Sequence, residues 1–407
     1  MRNLLLYLFY IFIYLYIHNP IFSFLGGLGS VKLLYPVAIL FFIFKFRSCI
    51  YAFKIFSSEF QILSLLILFC IFRTLIGGDT VILYQHIIMF VEVFFIGLFL
   101  IIYGANIRQY NIIYKLVLIA CFASLISSVC FAVPAVGDFV RNDLLLINDN
   151  YLSTAVFRGF GISDALTSSY GFIQGFSFAL SLLFVSKNKW LILFYPLFLI
   201  SIIFNARTGF VIAVLGMMIY LLFNRRIKTL LLLIGLVGFI FLLIQYLLLN
   251  IDVAQGSLLF ALDFFQQMSD VSDGGMASSK TMNILGDMVV WPQNLWEWIL
   301  GIGESLFRHA TLPNSDIGFV IQLNYGGLSY CLIWLFLFVF MYKRLKNNGI
   351  SNLYLILFLM FIMVTNTKGN LLWNADGFRF LMLVYYTLIF NKRISNYEEC
   401  KLPKLAY

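Results

Sequence analysis

The stretch VILYQHIIMFVEVFFIGLFLIIY (81–103) decides the fold: 23 residues that carry a single charge, Glu92, at their middle. A helix needs about 20 mostly apolar residues to cross the hydrocarbon of a bilayer, where every backbone N–H and C=O has to be paired within the chain. Windows of the same kind recur near 4–17, 31–46, 60–76, 114–136, 166–185, 190–204, 209–223, 229–249, 317–341, 350–366 and 377–391. Twelve predicted spans put both termini on one side of the membrane.

Composition agrees. The chain is 62% apolar and 11% charged, with a mean hydropathy of +0.97, where a soluble domain holds about 45–50% apolar and about 25% charged residues. The sequence therefore predicts an all-α polytopic integral membrane protein of about 12 transmembrane helices, a single membrane domain over 1–407. One large extracytoplasmic loop is expected near 250–316 and a smaller one near 137–165. The six cysteines include no C-x-x-C pair and sit mostly in apolar runs, so they read as small buried hydrophobes rather than a disulfide framework or metal site. Arg2 and the apolar run 4–17 imitate a signal peptide, but His18-Asn19-Pro20 offers no small-residue cleavage site, and a retained first helix is predicted.

Charge sets the orientation. With the amino terminus in the cytoplasm, the inner segments hold 18 of the 27 Lys and Arg against three acids, Glu59, Glu398 and Glu399. The outer segments hold nine cations and 14 acids. This is the positive-inside bias, so the net +9 reports topology and excludes nucleic acid as a partner the composition calls for.

Polar chemistry gathers in three outer regions. The first, 137–165, contains Asp138, Arg141, Asp143, Asp149, Arg158 and Asp164. The second is the tight turn Asn205-Ala206-Arg207-Thr208-Gly209. The third is the long loop, in which Leu258, Leu259, Leu262, Phe265 and Met268 form one helical stripe, as in a helix lying on a membrane surface. Trp291, Trp296 and Trp298 follow, as expected in the headgroup zone. An arginine such as Arg207 at the end of a short hairpin either snorkels to lipid phosphates or offers its planar fork to a phosphate or pyrophosphate. Arg158, Arg308 and Arg379 fall on the same side, and each reads alone as an interfacial arginine. Glu92 reads equally as a proton relay or as a structural hydrogen-bonding group. No Walker A loop, Rossmann fingerprint, H-E-x-x-H or D-x-D motif is present, so no cofactor or metal is expected and any synthetic chemistry has to use a donor activated elsewhere.

Arg158-Gly-Phe-Gly before the sixth span, Arg207-Thr-Gly-Phe, Leu300-Gly-Ile-Gly303, Asn314-Ser-Asp316-Ile-Gly-Phe and Asn324-Tyr-Gly-Gly327 resemble the pattern of Wzy-type O-antigen polymerases and the related O-antigen ligases. The motifs are short, and the layout of a dozen spans with one large late loop carries as much of the resemblance across the chain. It implies an inverting, membrane-embedded glycosyltransferase of the bacterial inner membrane, with both termini cytoplasmic and the reaction on the periplasmic face. Such an enzyme moves a growing glycan from undecaprenyl pyrophosphate to a new lipid-linked repeat unit. Its partners would be the undecaprenyl-pyrophosphate-linked oligosaccharide, the lipid bilayer and, where one is used, a chain-length regulator protein.

Pyrophosphate leaves without a general acid, and one guanidinium about 4 Å away contributes about 4 kcal/mol at an effective dielectric near 20. Arg207 is the first candidate for that contact, then Arg158 and Arg308. Asp316, Glu304 and His309 are candidates for the base that receives the acceptor hydroxyl's proton, with Asp316 alternatively the amino-terminal cap of the tenth span. The ligases usually carry histidine then asparagine where this chain reads Asn314-Ser315-Asp316, a departure that favours a polymerase. A lipid-linked oligosaccharide flippase is the alternative from another class, for which short loops and an internal repeat are expected. A scaffold without chemistry is the third.

Overall fold

The computed structural model describes residues 2–146, 161–163, 168–205, 208–224, 288–306, 315–367 and 375–401, with positions 235 and 238. Among them the regular structure is helical, with two isolated bridges, Ile21 to Gly29 and Phe22 to Leu145. The chain begins with α1 (Arg2–His18), α2 (Leu34–Phe44), α3 (Phe46–Ile55) and α4 (Ser57–Leu75). Next come α5 (Thr80–Asn106), which includes a π-helical stretch at Val91–Ile96, α6 (Ile112–Ala132) and the short α7 (Pro134–Phe139). Then follow α8 (Ser168–Phe184), α9 (Tyr195–Asn205) and α10 (Thr208–Asn224). The remainder is α11 (Leu295–Leu300), α12 (Gly318–Asn347), α13 (Asn352–Thr367) and α14 (Ala375–Lys401).

Each predicted span but one falls on these helices. The exception, 229–249, lies outside the described residues, as do the stripe 258–268 and most of the 250–316 loop. Among the described residues α4, α5, α6 and α12 are long and apolar enough to cross a membrane singly, and α2 with α3 would make a fifth crossing. In that last pair, the segment expected as a cationic turn after the 31–46 span is itself helical, over Phe46–Ile55. The chain bends by 103° between the two helices, and the break falls at Lys45 (φ −114, ψ 32). Arg47 and Lys54 are exposed on α3, and cations are costly in hydrocarbon. The 137–165 segment opens as helix, through Phe139 and on to Leu144.

Exposure is inverted relative to a soluble protein. On α12 the stripe Leu328, Leu332, Leu335 and Val339 is apolar and exposed, while Gln174, Ser177, Asn205, Gln322, Asn324, Asn366 and Arg379 are buried. Apolar stripes at helical spacing facing outward suit a lipid solvent. The helix α14 is buried on all sides from Phe378 to Thr387, and so forms the axis of the bundle. Where α8 and α10 cross, a Cβ on Gly209 would lie 2.1 Å from the Gly171 carbonyl oxygen. Two small residues let the backbones touch, as in membrane helix pairs.

Polar contacts sort by helix end. Tyr103 Oη donates to Leu5 O at 3.3 Å and Asn391 Nδ2 to Tyr110 O at 2.6 Å, and Arg344 pairs with Glu59. All of these lie in segments that the charge alternation assigns to the cation-rich side. Arg73 to Gly301, Asn205 to Ser127 and Gln322 to Asn366 join segments assigned to the other side.

Candidate functional site

The close of the long loop forms one part of the site. Asn294 caps α11: its Oδ1 accepts from Glu297 N at 3.0 Å, and Glu297 Oε2 accepts from Gln293 N at 2.6 Å, a reciprocal capping arrangement. Trp291 stacks on Trp298 with ring centroids 5.9 Å apart, and Trp291 and Trp296 are exposed, as a headgroup position requires. The helix stops at Gly301 (φ +73), and the chain passes as a strap onto α12.

That helix is broken where the strap meets it. Gly327 takes φ 62 and ψ −164, which releases carbonyls of the preceding turn. Ile302 N–H donates to Asn324 O at 2.6 Å and Gly303 N–H to Tyr325 O at 3.0 Å, so loop amides replace the missing helix bonds. The backbones are in contact: a Cβ on Gly301 would lie 2.3 Å from Tyr325 O, and one on Gly327 would lie 2.4 Å from Ile299 C. Leu300-Gly-Ile-Gly303 and Asn324-Tyr-Gly-Gly327 are thus two halves of one contact.

Arg73, near the end of α4, holds the strap from the other side. Its Nη2 donates to Gly301 O at 2.9 Å, and the residue is 7% exposed. Asp79 N–H donates to Gly303 O at 2.9 Å while Asp79 Oδ1 caps α5 by accepting from Val81 N at 2.8 Å. Among the described residues no carboxylate forms an ion pair with Arg73. Tyr325 adjoins both Arg73 and Cys70. Below it His86 Nδ1 donates to Ile82 O at 2.7 Å, which leaves Nε2 to accept from Tyr330 Oη at 2.6 Å. Sequence reasoning counted Arg73 only as one outer cation. The signal it offered was Gly77-Gly78 just beyond, since a Cβ on Gly78 would lie 2.8 Å from the Arg73 carbonyl oxygen.

A second part is built on α6. Asn205, buried at the end of α9, donates from Nδ2 to Ser127 Oγ at 2.9 Å and to Ser201 O at 2.8 Å. Gly161 (φ +125) lies over the same serine, its Cβ position 3.6 Å from the Ser127 Cβ. Tyr14 Oη fixes the next residue by donating to Ile162 O at 2.5 Å. The end of Arg158-Gly-Phe-Gly161 and the start of the turn 205–209 therefore meet at Ser127. Arg158 and Arg207 themselves lie outside the described residues, as do Arg308 and His309.

The two described base candidates share a loop base. Ser315 N–H donates to Leu306 O at 3.0 Å, tying together the chain on both sides of 307–314. Glu304 is half-buried directly after Gly303, and Asp316 is exposed. The capping role weighed for Asp316 is not realised: α12 starts without a side-chain cap, and Ser315 Oγ accepts from Ile317 N at 3.2 Å.

Arg379 is corrected from an interfacial arginine to a buried one paired with Glu92. Tyr35 Oη donates to the other Glu92 oxygen at 3.1 Å. Both contacts are of the structural kind, one of the two roles open to Glu92. Among the described residues no three His, Cys, Asp or Glu side chains gather closely enough for a metal ion. Comparison with protein-family models, curated proteins and solved structures finds no match to this chain.

Proposed function

We propose that the chain is an O-antigen polymerase: an inner-membrane, inverting glycosyltransferase that transfers a growing glycan from undecaprenyl pyrophosphate to a new lipid-linked repeat unit at the periplasmic face. The observation that carries this reading is the pairing of motif segments far apart in sequence at one end of the bundle. Gly301 and Gly303 dock on Asn324–Gly327 beside Arg73, and Gly161 and Asn205 meet at Ser127. Both pairings lie on the side where charge alternation puts the acid-rich loops.

The chemistry follows from those anchors. Asn205 stands two residues before Arg207 in the sequence and Gly161 three residues after Arg158, and this nearness in sequence to the Ser127 contact is what supports giving the two arginines one shared role. Two guanidinium forks suit a diphosphate leaving group, whose charge grows as the glycosidic bond breaks. Asp316, not engaged in capping, is the first choice to accept the proton of the attacking hydroxyl, and Glu304 the second. The broken α12 is the feature shared with transporters. Two of its released carbonyls, Asn324 O and Tyr325 O, accept from Ile302 and Gly303 of the chain's own strap, which favours a structural break over a cargo site and makes the flippase reading the weaker one.

Deleting the gene and resolving the surface polysaccharide on a gel tests the proposal. The long-chain ladder is expected to vanish while lipid A core bearing one repeat unit remains. Loss of the single unit as well would indicate a flippase, and polymer left on the lipid carrier a ligase.

A further inference from the structure

Three stripes run along α3. Ala52 and, just past the helix, Phe56 are buried, and the Phe53 ring meets Phe94 of α5 at 5.9 Å and Phe60 of α4 at 5.0 Å. Phe46, Ile50 and Phe53 form the second stripe, 65%, 40% and 38% exposed. Arg47, Tyr51 and Lys54 form the third, all exposed. Since α3 leaves α2 at 103°, both exposed stripes run across the end of the bundle rather than along it.

The cations continue beyond the helix. Lys45 is exposed at the bend, and Lys343 and Lys346 are exposed in the last turns of α12. Arg344 brings that end alongside, because its guanidinium donates to Ile55 O and to Glu59. Glu59 is the acid of these segments; it is buried and also accepts from Tyr385 Oη. Five exposed cations therefore border an exposed aromatic stripe, and these described segments carry no exposed acid.

We infer that α3 and the end of α12 form a docking surface for anionic phospholipid headgroups. The aromatic stripe enters the acyl boundary while the cations meet phosphate oxygens, the arrangement of an in-plane amphipathic helix. A soluble anion would satisfy the cations and leave the exposed apolar surface of Phe46 and Ile50 uncovered, whereas a lipid satisfies both.

The test uses the full chain in detergent micelles, offered equal amounts of phosphatidylglycerol and phosphatidylcholine with matched acyl chains, and reads retained lipid by native mass spectrometry. The unmodified chain retains phosphatidylglycerol preferentially, by roughly fivefold for each engaged cation. Arg47→Gln with Lys54→Gln lowers the ratio by roughly 25-fold, about fivefold for each of the two cations removed. Arg47→Lys with Lys54→Arg preserves it, as does Lys187→Gln with Lys189→Gln at a different turn. Equal uptake of the two lipids by the unmodified chain, or an unchanged preference in the Arg47→Gln, Lys54→Gln variant, overturns the inference. Displacement of the lipid by millimolar inorganic phosphate overturns it in favour of a soluble anion.

Discussion

Arg379 on α14 donates from Nη1 to Oε2 of Glu92 in the π-helical stretch of α5, and the two side chains are 1% and 3% exposed. Two charges this deep are tolerated because each neutralises the other, and breaking a buried pair by removing one member is strongly destabilising. Glu92→Gln is therefore expected to destabilise the protein by about 3–5 kcal/mol, read as a lower melting temperature in detergent. Glu92→Gln combined with Arg379→Met should recover most of that loss. Equal melting of the single and double variants would show that the pair is not coupled.

Arg73 ties α4 to the strap through a charged donor to a buried carbonyl, a bond of about 1.5–3 kcal/mol. In Arg73→Ala the strap should open more often. A cysteine replacing Ile302 should then react with a soluble maleimide at least about tenfold faster, the factor that ~1.4 kcal/mol gives. The polysaccharide ladder should shrink in parallel. Unaltered labelling would mean that the glycine contacts hold the strap without Arg73.

Gly327 and Gly349 both have positive φ, 62° and 68°, yet they differ in surroundings. A Cβ on Gly349 meets nothing within 4 Å, so Gly349→Ala should cost only the left-handed penalty of about 1–2 kcal/mol. Gly327→Ala adds an overlap with Ile299, at 2.4 Å, and should abolish both the strap contact and the ladder. Comparable melting and comparable ladders in the two variants would remove the close backbone approach from the argument.

Arg207→Ala should erase the ladder at normal protein abundance, and Arg207→Lys should restore little, because an ammonium lacks the planar two-donor fork. Full polymer in the alanine variant would take Arg207 out of the site.

Asp316→Asn is expected to lower the polymerisation rate by about 10²–10⁴, the usual contribution of a positioned general base, with no change in melting since the carboxylate caps nothing. A rate within twofold of the parent would pass the role to Glu304, whose Gln variant is measured beside it.

The helices were legible because apolar runs interrupted by polar residues are a local signal, and α1, α4, α5 and α13 begin within a few residues of where hydropathy placed them. The turn at Lys45 was not legible, since the cations of α3 read equally well as an inner loop. Partners were the least accessible. Glu92 and Arg379 stand 287 positions apart and Arg73 and Gly301 stand 228, and nothing local in either member names the other. The glycines stood between these extremes: Gly301 and Gly327 belonged to two separate short motifs in the sequence, and the structure brings the backbones around them into one contact.

The break in α12 has a consequence for biogenesis. A severed helical turn entering lipid exposes bare carbonyls, a costly state during insertion. Residues 301–303 leave the ribosome ahead of Asn324 and Tyr325, and so does the α4–α5 corner that receives them. The amides that complete the turn are therefore synthesised first, and the segment that needs them arrives at a partner already made.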